Sequence, residues 1–333
     1  MKGGDEERGA LDDAARPARD RVRGRGPPPP GDPRRGANDA AARMRRVWHS
    51  LRRRSPVFRK LTSLAKRVPR FTGRLAGTSR PGFSLLANSF PKSGTHLLVQ
   101  ILEAFPGVVN YETFLASLPS TRLSQRSDGA LLKRIGRIAR GELVSAHLFH
   151  KAIFRDRLLE QGCVIYFIYR DPRDVVVSAA HYLAGMNRWN RAHRHFARLA
   201  DDDERILRAI RGLPDGGAEF DFPDVAERFA AYEGWLHEPA ALAVRYEDLL
   251  HPATDETLRR MVRFFVERTG LELDEDRVVQ AARANIDPAK SRTFRSGRVG
   301  GWRESFTARH RSAMKEVAGD LLVRLGYETD LDW

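Results

Sequence analysis

The chain has a single cysteine in 333 residues, Cys163, so it can form no internal disulfide. A reducing compartment is the easier inference, and a cytoplasmic location is expected. No run of residues approaches the roughly 18 apolar positions that a membrane-crossing helix needs. No charged start followed by an apolar stretch marks a secretory signal. No Cys/His cluster has zinc-site spacing, and no internal repeat is evident. Between residues 41 and 80 there is no Asp or Glu, against thirteen Lys and Arg. That stretch alone supplies +13 of a formal net charge of +15. The basic balance therefore belongs to an arm and not to the fold, and nucleic acid is not an expected partner. Apolar content is 41%, an ordinary value that allows a sizeable core.

The arm itself has two parts. Residues 1–40 hold hardly any large apolar side chains and include Pro27-Pro28-Pro29-Pro30, a composition that predicts disorder. Met44 stands open as an alternative start. In residues 44–71, Phe58, Leu61, Leu64, Ala65 and Val68 follow helical spacing among basic residues, with Trp48 and Leu51 nearby. Such a basic amphipathic segment either lies peripherally on an anionic membrane or docks on the folded domain. The boundary is expected at 78, with a disordered and basic arm over 1–78 and one folded domain over 79–333.

Within that domain, apolar strands alternate with helical stripes. Strands are expected at 83–89, 143–147, 163–169 and 241–246. Helices are expected at 94–105, 172–184, 225–236, 254–269, 274–284 and 307–325. This alternation predicts an α/β fold, a P-loop-like parallel sheet flanked by helices. Ligands then bind at the carboxyl ends of the strands. Lys92, His147, Arg170 and Tyr246 each fall at such an end.

Three segments carry the chemistry. Phe90-Pro91-Lys92-Ser93-Gly94-Thr95 lies between a strand and a helix whose stripe is Leu97, Leu98, Ile101, Leu102 and Phe105. Unpaired N–H groups at a helix start, joined by a lysine, make an anion cradle. The Lys precedes the Gly, so this is not a Walker A loop. In Tyr169-Arg170-Asp171-Pro172-Arg173-Asp174 the strand ends at Arg170, and Pro172 suits the first turn of a helix that carries Ser178. Arg170 offers a fork for an oxyanion and Ser178 a hydroxyl. In Arg295-Ser296-Gly297-Arg298-Val299-Gly300-Gly301-Trp302-Arg303, three glycines let backbone approach a ligand closely. Three arginines in the same run fit an anion. A bland reading stands beside each: a surface turn, an ion-paired helix start at Arg170 with Asp171 and Asp174, and a core position for Trp302.

Together, in order and spacing, these segments resemble the signatures of the PAPS-dependent sulfotransferases, of the soluble cytosolic type and its bacterial relatives. The resemblance covers roughly Phe83 to Leu325. Pro91 through Thr95 match the first signature, which then departs at His96 and Leu97. Arg170 and Ser178 match the Arg–Ser pair of the second. Arg295, Gly297, Gly300, Trp302, Phe306 and Thr307 match the third, in which Arg303 replaces Lys and Ser296 and Gly301 depart. The resemblance implies PAPS as sulfuryl donor without a metal. Lys92, Ser93, Gly94 and Thr95 would grip the 5′-phosphosulfate, and Arg170, Ser178, Arg295, Ser296 and Gly297 the 3′-phosphate. Tyr246, in Tyr246-Glu247-Asp248, would reach the nucleotide. His147 in Ser145-Ala146-His147-Leu148 would be the catalytic base, although the Lys and Pro that flank the family's His are absent; His150 is its competitor.

The expected reaction passes a sulfuryl group from PAPS to a hydroxyl or amine. Lys92 would stabilise the leaving phosphate and His147 would take the acceptor's proton. The acceptor is a small-molecule or lipid/glycan hydroxyl of unread identity. Residues 108–130 and 181–223 are read as irregular, aromatic-bearing covers of its pocket. Glu247-Asp248 reads as helix-start charge, and Asp201-Asp202-Asp203-Glu204 as a solvated loop or cap. Two alternatives remain: a P-loop-type kinase or NTPase, and a non-enzymatic module binding membrane or nucleic acid through the arm.

Overall fold

The computed structural model describes residues 82–119, 125–213, 222–250, 254–287 and 297–333, all within the compact unit Leu61–Trp333. The expected arm over 1–78 lies outside the described residues, as do Arg295 and Ser296. In chain order the structure runs β1 (Ser84–Ser89), α1 (Thr95–Leu102), β2 (Val109–Ala116), α2 (Asp128–Ile135), β3 (Glu142–His147), α3 (Ala152–Glu160), β4 (Cys163–Tyr169) and α4 (Pro172–His181). It continues with α5 (His193–Arg198), α6 (Asp202–Arg211), α7 (Val225–Glu233), β5 (Ala241–Arg245), α8 (Thr254–Thr269), α9 (Glu275–Asn285), α10 (Trp302–Ser305) and α11 (Ala308–Arg324).

Five strands pair in the order β2-β3-β1-β4-β5, every pair parallel. Parallel neighbours need long crossovers, and helices supply them. Alternate side chains of one strand reach opposite faces. Leu86, Val144, Ile165 and Phe167 join one core layer with Phe229, Trp235 and Met314. Leu85, Ala87, Tyr166 and Ile168 join the other with Leu98, Met261 and Phe265. Because both faces are covered, β4 reads as an unbroken apolar run, and β1 carries a buried apolar stretch from Leu85 to Ala87. Each such buried Leu or Phe contributes about 1.5–3 kcal/mol relative to exposure.

The expected strands appear within a residue of their predicted ends, but the two irregular stretches do not hold as read. Residues 108–130 contain edge strand β2 and the start of α2. A bulge shifts the β2–β3 register between Asn110 and Thr113, and Glu112 there adopts φ 60°. The break destroys the two-residue alternation that would mark a strand. Residues 181–223 contain α5 and α6. The acidic run at their centre caps α6, with Asp201 accepting from the Glu204 amide. Helix α4 ends at His181, and the chain makes one π-helical turn over Tyr182–Met186.

The C-terminus is pinned beside the start of α4. The fully buried Arg173 guanidinium packs against the rings of both Trp302, at 4.1 Å, and Trp333, at 4.6 Å, and pairs with Asp171 and Glu328. Glu247 opens the turn Glu247–Leu249, as its helix-start reading requires. It accepts from the Asp171 amide at 3.1 Å and the Tyr327 hydroxyl at 2.8 Å.

Candidate functional site

The carboxyl ends of β1, β3, β4 and β5 bring the expected groups together. After β1 the chain turns tightly, the Ser93 amide donating to the Phe90 carbonyl at 3.1 Å. Lys92 takes φ 73°, a left-handed conformation that costs a non-glycine residue on the order of 1 kcal/mol and concentrates at functional loops. Gly94 caps α1 at φ 98° with no side-chain bond to the helix N–H groups. The helix start therefore keeps its donors for a ligand. Ser93 is fully buried, and its hydroxyl has no partner among the described residues. The Lys92 ammonium lies 4.1 Å from the centroid of the Tyr182 ring, in the π turn after α4.

Tyr246, at the end of β5, joins the three signature segments mechanically. Its ring packs so closely on Gly94 that a Cβ there would lie 2.5 Å from Cδ2. Its hydroxyl donates to the Gly297 carbonyl at 3.2 Å, and its ring sits 4.5 Å from the Arg170 guanidinium. Arg170 donates through Nη2 to Asp174 at 3.1 Å and to the Arg298 carbonyl at 2.7 Å. The ion-paired helix start is thus partly real: Arg170 pairs with Asp174, whereas Asp171 pairs with Arg173. Yet the buried Nε of Arg170 has no partner among the described residues. The pair does not exhaust the guanidinium.

Asp174 is the residue that sequence reasoning left in the background. One oxygen accepts from the Trp302 amide at 2.9 Å; the other accepts from the Gly300 amide at 2.9 Å and from Arg170. A single carboxylate therefore fastens the glycine-rich segment to α4 and orients Arg170. Its only sequence signal was its place, four residues after Arg170. Ser178 lies on the same helix, partly exposed.

His147 ends β3. Its Nδ1 lies 3.0 Å from both the carbonyl and the hydroxyl of Ser89. A carbonyl can only accept, so Nδ1 carries the hydrogen and Nε2 is left as the basic nitrogen. Ser89 in turn meets the Thr95 hydroxyl at 2.7 Å, which links His147 to the first turn of α1. Burial at the strand end, with the nearby positive charges of His96 and Lys92, lowers the His147 pKa from 6.5 to about 4, against the opposing bond to Ser89. The Phe114 ring, on β2, stands edge-on to His147 at 5.1 Å and is partly exposed. His150 is engaged elsewhere: Nε2 is 3.2 Å from Glu238, and its ring packs on Trp235 at 4.8 Å.

The geometry offers two places suited to anionic groups. An unpartnered buried hydroxyl and a helix start lie at one end, and an unpartnered guanidinium N–H and a glycine-rich loop at the other. Among the described residues no helix is long and apolar enough to cross a membrane.

The model of the sulfotransferase domain matches residues 84–326. Among solved structures, the mouse sulfotransferase SULT7A1 complexed with PAP superimposes with a TM-score of 0.51 at 17% identity, covering 75% of this chain and 88% of that one. A retinol dehydratase in complex with androsterone and the inactive cofactor PAP gives 0.47 at 16% identity, covering 73% and 81%. No curated protein sequence matches the chain significantly.

Proposed function

The chain belongs to the sulfotransferase family and is a PAPS-dependent sulfotransferase; from that premise we propose how its own residues carry out the transfer. The P-loop kinase and the non-enzymatic alternatives give way to this assignment. PAPS supplies a sulfonate joined to its 5′-phosphate through a bridging oxygen. In the transfer, the bond from sulfur to that oxygen breaks and a bond from sulfur to the acceptor's oxygen or nitrogen forms. Lys92 and the first amides of α1 stabilise the charge that collects on the leaving phosphate. His147 accepts the acceptor's proton at Nε2, so PAP leaves with the bridging oxygen and the imidazole leaves protonated. Ser89 orients the ring through Nδ1.

The observation that carries this reading is the pairing of two anion sites across Tyr246. Ser93, Gly94 and Thr95 serve the phosphosulfate end. Arg170, Ser178 and Gly297 serve the 3′-phosphate; Arg295 and Ser296, which lie outside the described residues, are assigned to it from the sequence alone. Calorimetry with 3′-phosphoadenosine 5′-phosphate and with adenosine 5′-phosphate tests it. Loss of the 3′-phosphate is expected to cost about 2–5 kcal/mol, the range for unpairing one member of a buried charged contact. Equal affinity for both nucleotides, or preference for magnesium-ATP, would sink the assignment of these residues.

A further inference from the structure

We propose that residues 327–333 position the 3′-phosphate half of the donor site, Trp333 through Trp302 and Arg173, and Tyr327 through Glu247; this rests on the sulfotransferase reading of that site. The end of α11 turns this stretch back toward the sheet. Gly326 takes φ 70°, its amide donates to the Val323 carbonyl at 3.0 Å, and the Tyr327 amide donates to the Leu322 carbonyl at 2.9 Å. Such a pair of bonds around a left-handed glycine closes a helix and reverses the chain. Leu331 then lies on Gly319 of α11, so closely that a Cβ there would meet its Cδ2 at 2.7 Å.

Tyr327 reaches the ends of two strands. Its ring lies 3.8 Å from the Arg245 guanidinium, and its hydroxyl donates to Glu247 at 2.8 Å. Glu247 follows Tyr246, and its other oxygen accepts from the amide of Asp171, the residue after Arg170. One carboxylate therefore ties the end of β5 to the end of β4, beside the Tyr246 ring and the Arg170 guanidinium that meet at 4.5 Å. The Tyr327 hydroxyl is one of the donors that hold this carboxylate in place.

Trp333 bears on the glycine-rich segment. Of residues 297–302, only Trp302 is buried. Gly297 and Gly300 take φ 60° and 71°, and Arg298 and Val299 between them are exposed. A segment of that kind has little packing of its own. Its place is set by the Trp302 ring and by the two amides that donate to Asp174. The Trp302 ring meets Trp333 edge-on at 5.7 Å, and the Arg173 guanidinium packs on both. Arg173 in turn precedes Asp174 in the first turn of α4. Removing the Trp333 ring takes away a neighbour of Trp302 and of Arg173 and leaves in place every group assigned to the nucleotide. None of these side chains belongs to the loop after β1 that serves the phosphosulfate, so the effect should fall on the 3′-phosphate.

The experiment measures, by calorimetry, the ratio of the Kd for adenosine 5′-phosphate to the Kd for 3′-phosphoadenosine 5′-phosphate, with thermal denaturation alongside. Anchorage for stability alone would lower the Tm and leave that ratio as it is. Trp333→Ala should lower the ratio about tenfold, and Tyr327→Phe, which loses only a hydroxyl, about threefold. Trp333→Phe keeps a ring against both neighbours and should stay close to the wild type. Phe265→Leu, in the core layer on the opposite face of the sheet and packed on Phe83, is the destabilised control. A ratio within about twofold of the wild type in Trp333→Ala overturns the proposal. If that variant does not fold, the same result in Tyr327→Phe overturns it. An equal fall in Phe265→Leu also overturns it, because lost stability would then explain the change. Failure of the wild-type protein to bind 3′-phosphoadenosine 5′-phosphate would instead remove the sulfotransferase reading beneath it.

Discussion

Replacing Asp174 by Asn tests whether one carboxylate holds the donor site together. The side chain keeps its shape, so no cavity forms, but one accepting oxygen becomes an NH₂ group. Asp174 is 4% exposed and receives three N–H donors, from Gly300, Trp302 and Arg170. At least one of them must then face another donor. An unsatisfied buried N–H costs about 1–3 kcal/mol, and breaking a buried ion pair by removing one partner about 3–5 kcal/mol. Arg170 retains the Arg298 carbonyl, which places the expected loss near 3–4 kcal/mol rather than at the sum of the two. Urea denaturation reads that loss. Calorimetry reads the functional part: discrimination between PAP and adenosine 5′-phosphate should fall at least tenfold, while the 5′-phosphate end keeps its grip. A variant that is destabilised by less than about 1 kcal/mol and still discriminates as the wild type does would refute the argument.

Other outcomes follow from the same geometry. Gly94→Ala should lose about 2–4 kcal/mol of stability from its φ of 98° and its clash with Tyr246, with weaker PAP binding; in a double-mutant cycle with Tyr246→Leu the losses should be less than additive, and strict additivity would contradict the clash. His147→Ala should lower turnover about 10²–10⁴-fold with little change in PAP affinity, and the reverse pattern, an inactive His150→Ala beside an active His147→Ala, would reassign the base. On the proposed role of the neutral His147 imidazole as base, with its pKa lowered to about 4, activity should persist as pH falls through 6.5 and decline toward 4; an acid limb at or above 6.5 would count against that role. The same depression means the group's contribution to stability is present above pH 6.5 and lost as pH falls from there toward 4. A chain starting at Gly77 should keep turnover and lose co-sedimentation with anionic vesicles, each basic residue near such a surface contributing about 1 kcal/mol; full-length protein that ignores vesicles at every salt concentration would remove the membrane role of the arm.

The central strands were legible because burial on both faces leaves one pattern, an apolar run that ends where function begins. Leu85 to Ala87 and Cys163 to Ile168 could be read that way without knowing their neighbours. Strand β2 could not. It is an edge, its bulge inserts a left-handed Glu112, and its exposed Val109 and Phe114 look like loop residues. Helix α6 was hidden for another reason: its acidic first turn reads as solvent-facing until Asp201 is seen capping it and Ile206, Leu207 and Ile210 are seen buried behind it.

The two halves of the candidate site differ in the same way. The donor half is more constrained: Gly94 is demanded by its φ and by Tyr246. That constraint fixes a residue type at a fixed spacing, and such spacing survives in the sequence as a motif; Asp174, demanded by three donors that only the fold brings together, did not show in the same way. The choice between His147 and His150 is different, because it turns on partners far away in the chain. Ser89 holds one imidazole through Nδ1, and Glu238 with Trp235 engages the other. On the proposed acceptor side, edge strand β2 buries Leu115 and Ala116 but leaves Val109 and Phe114 exposed. Packing does not dictate those two positions, so a motif could not reveal the acceptor.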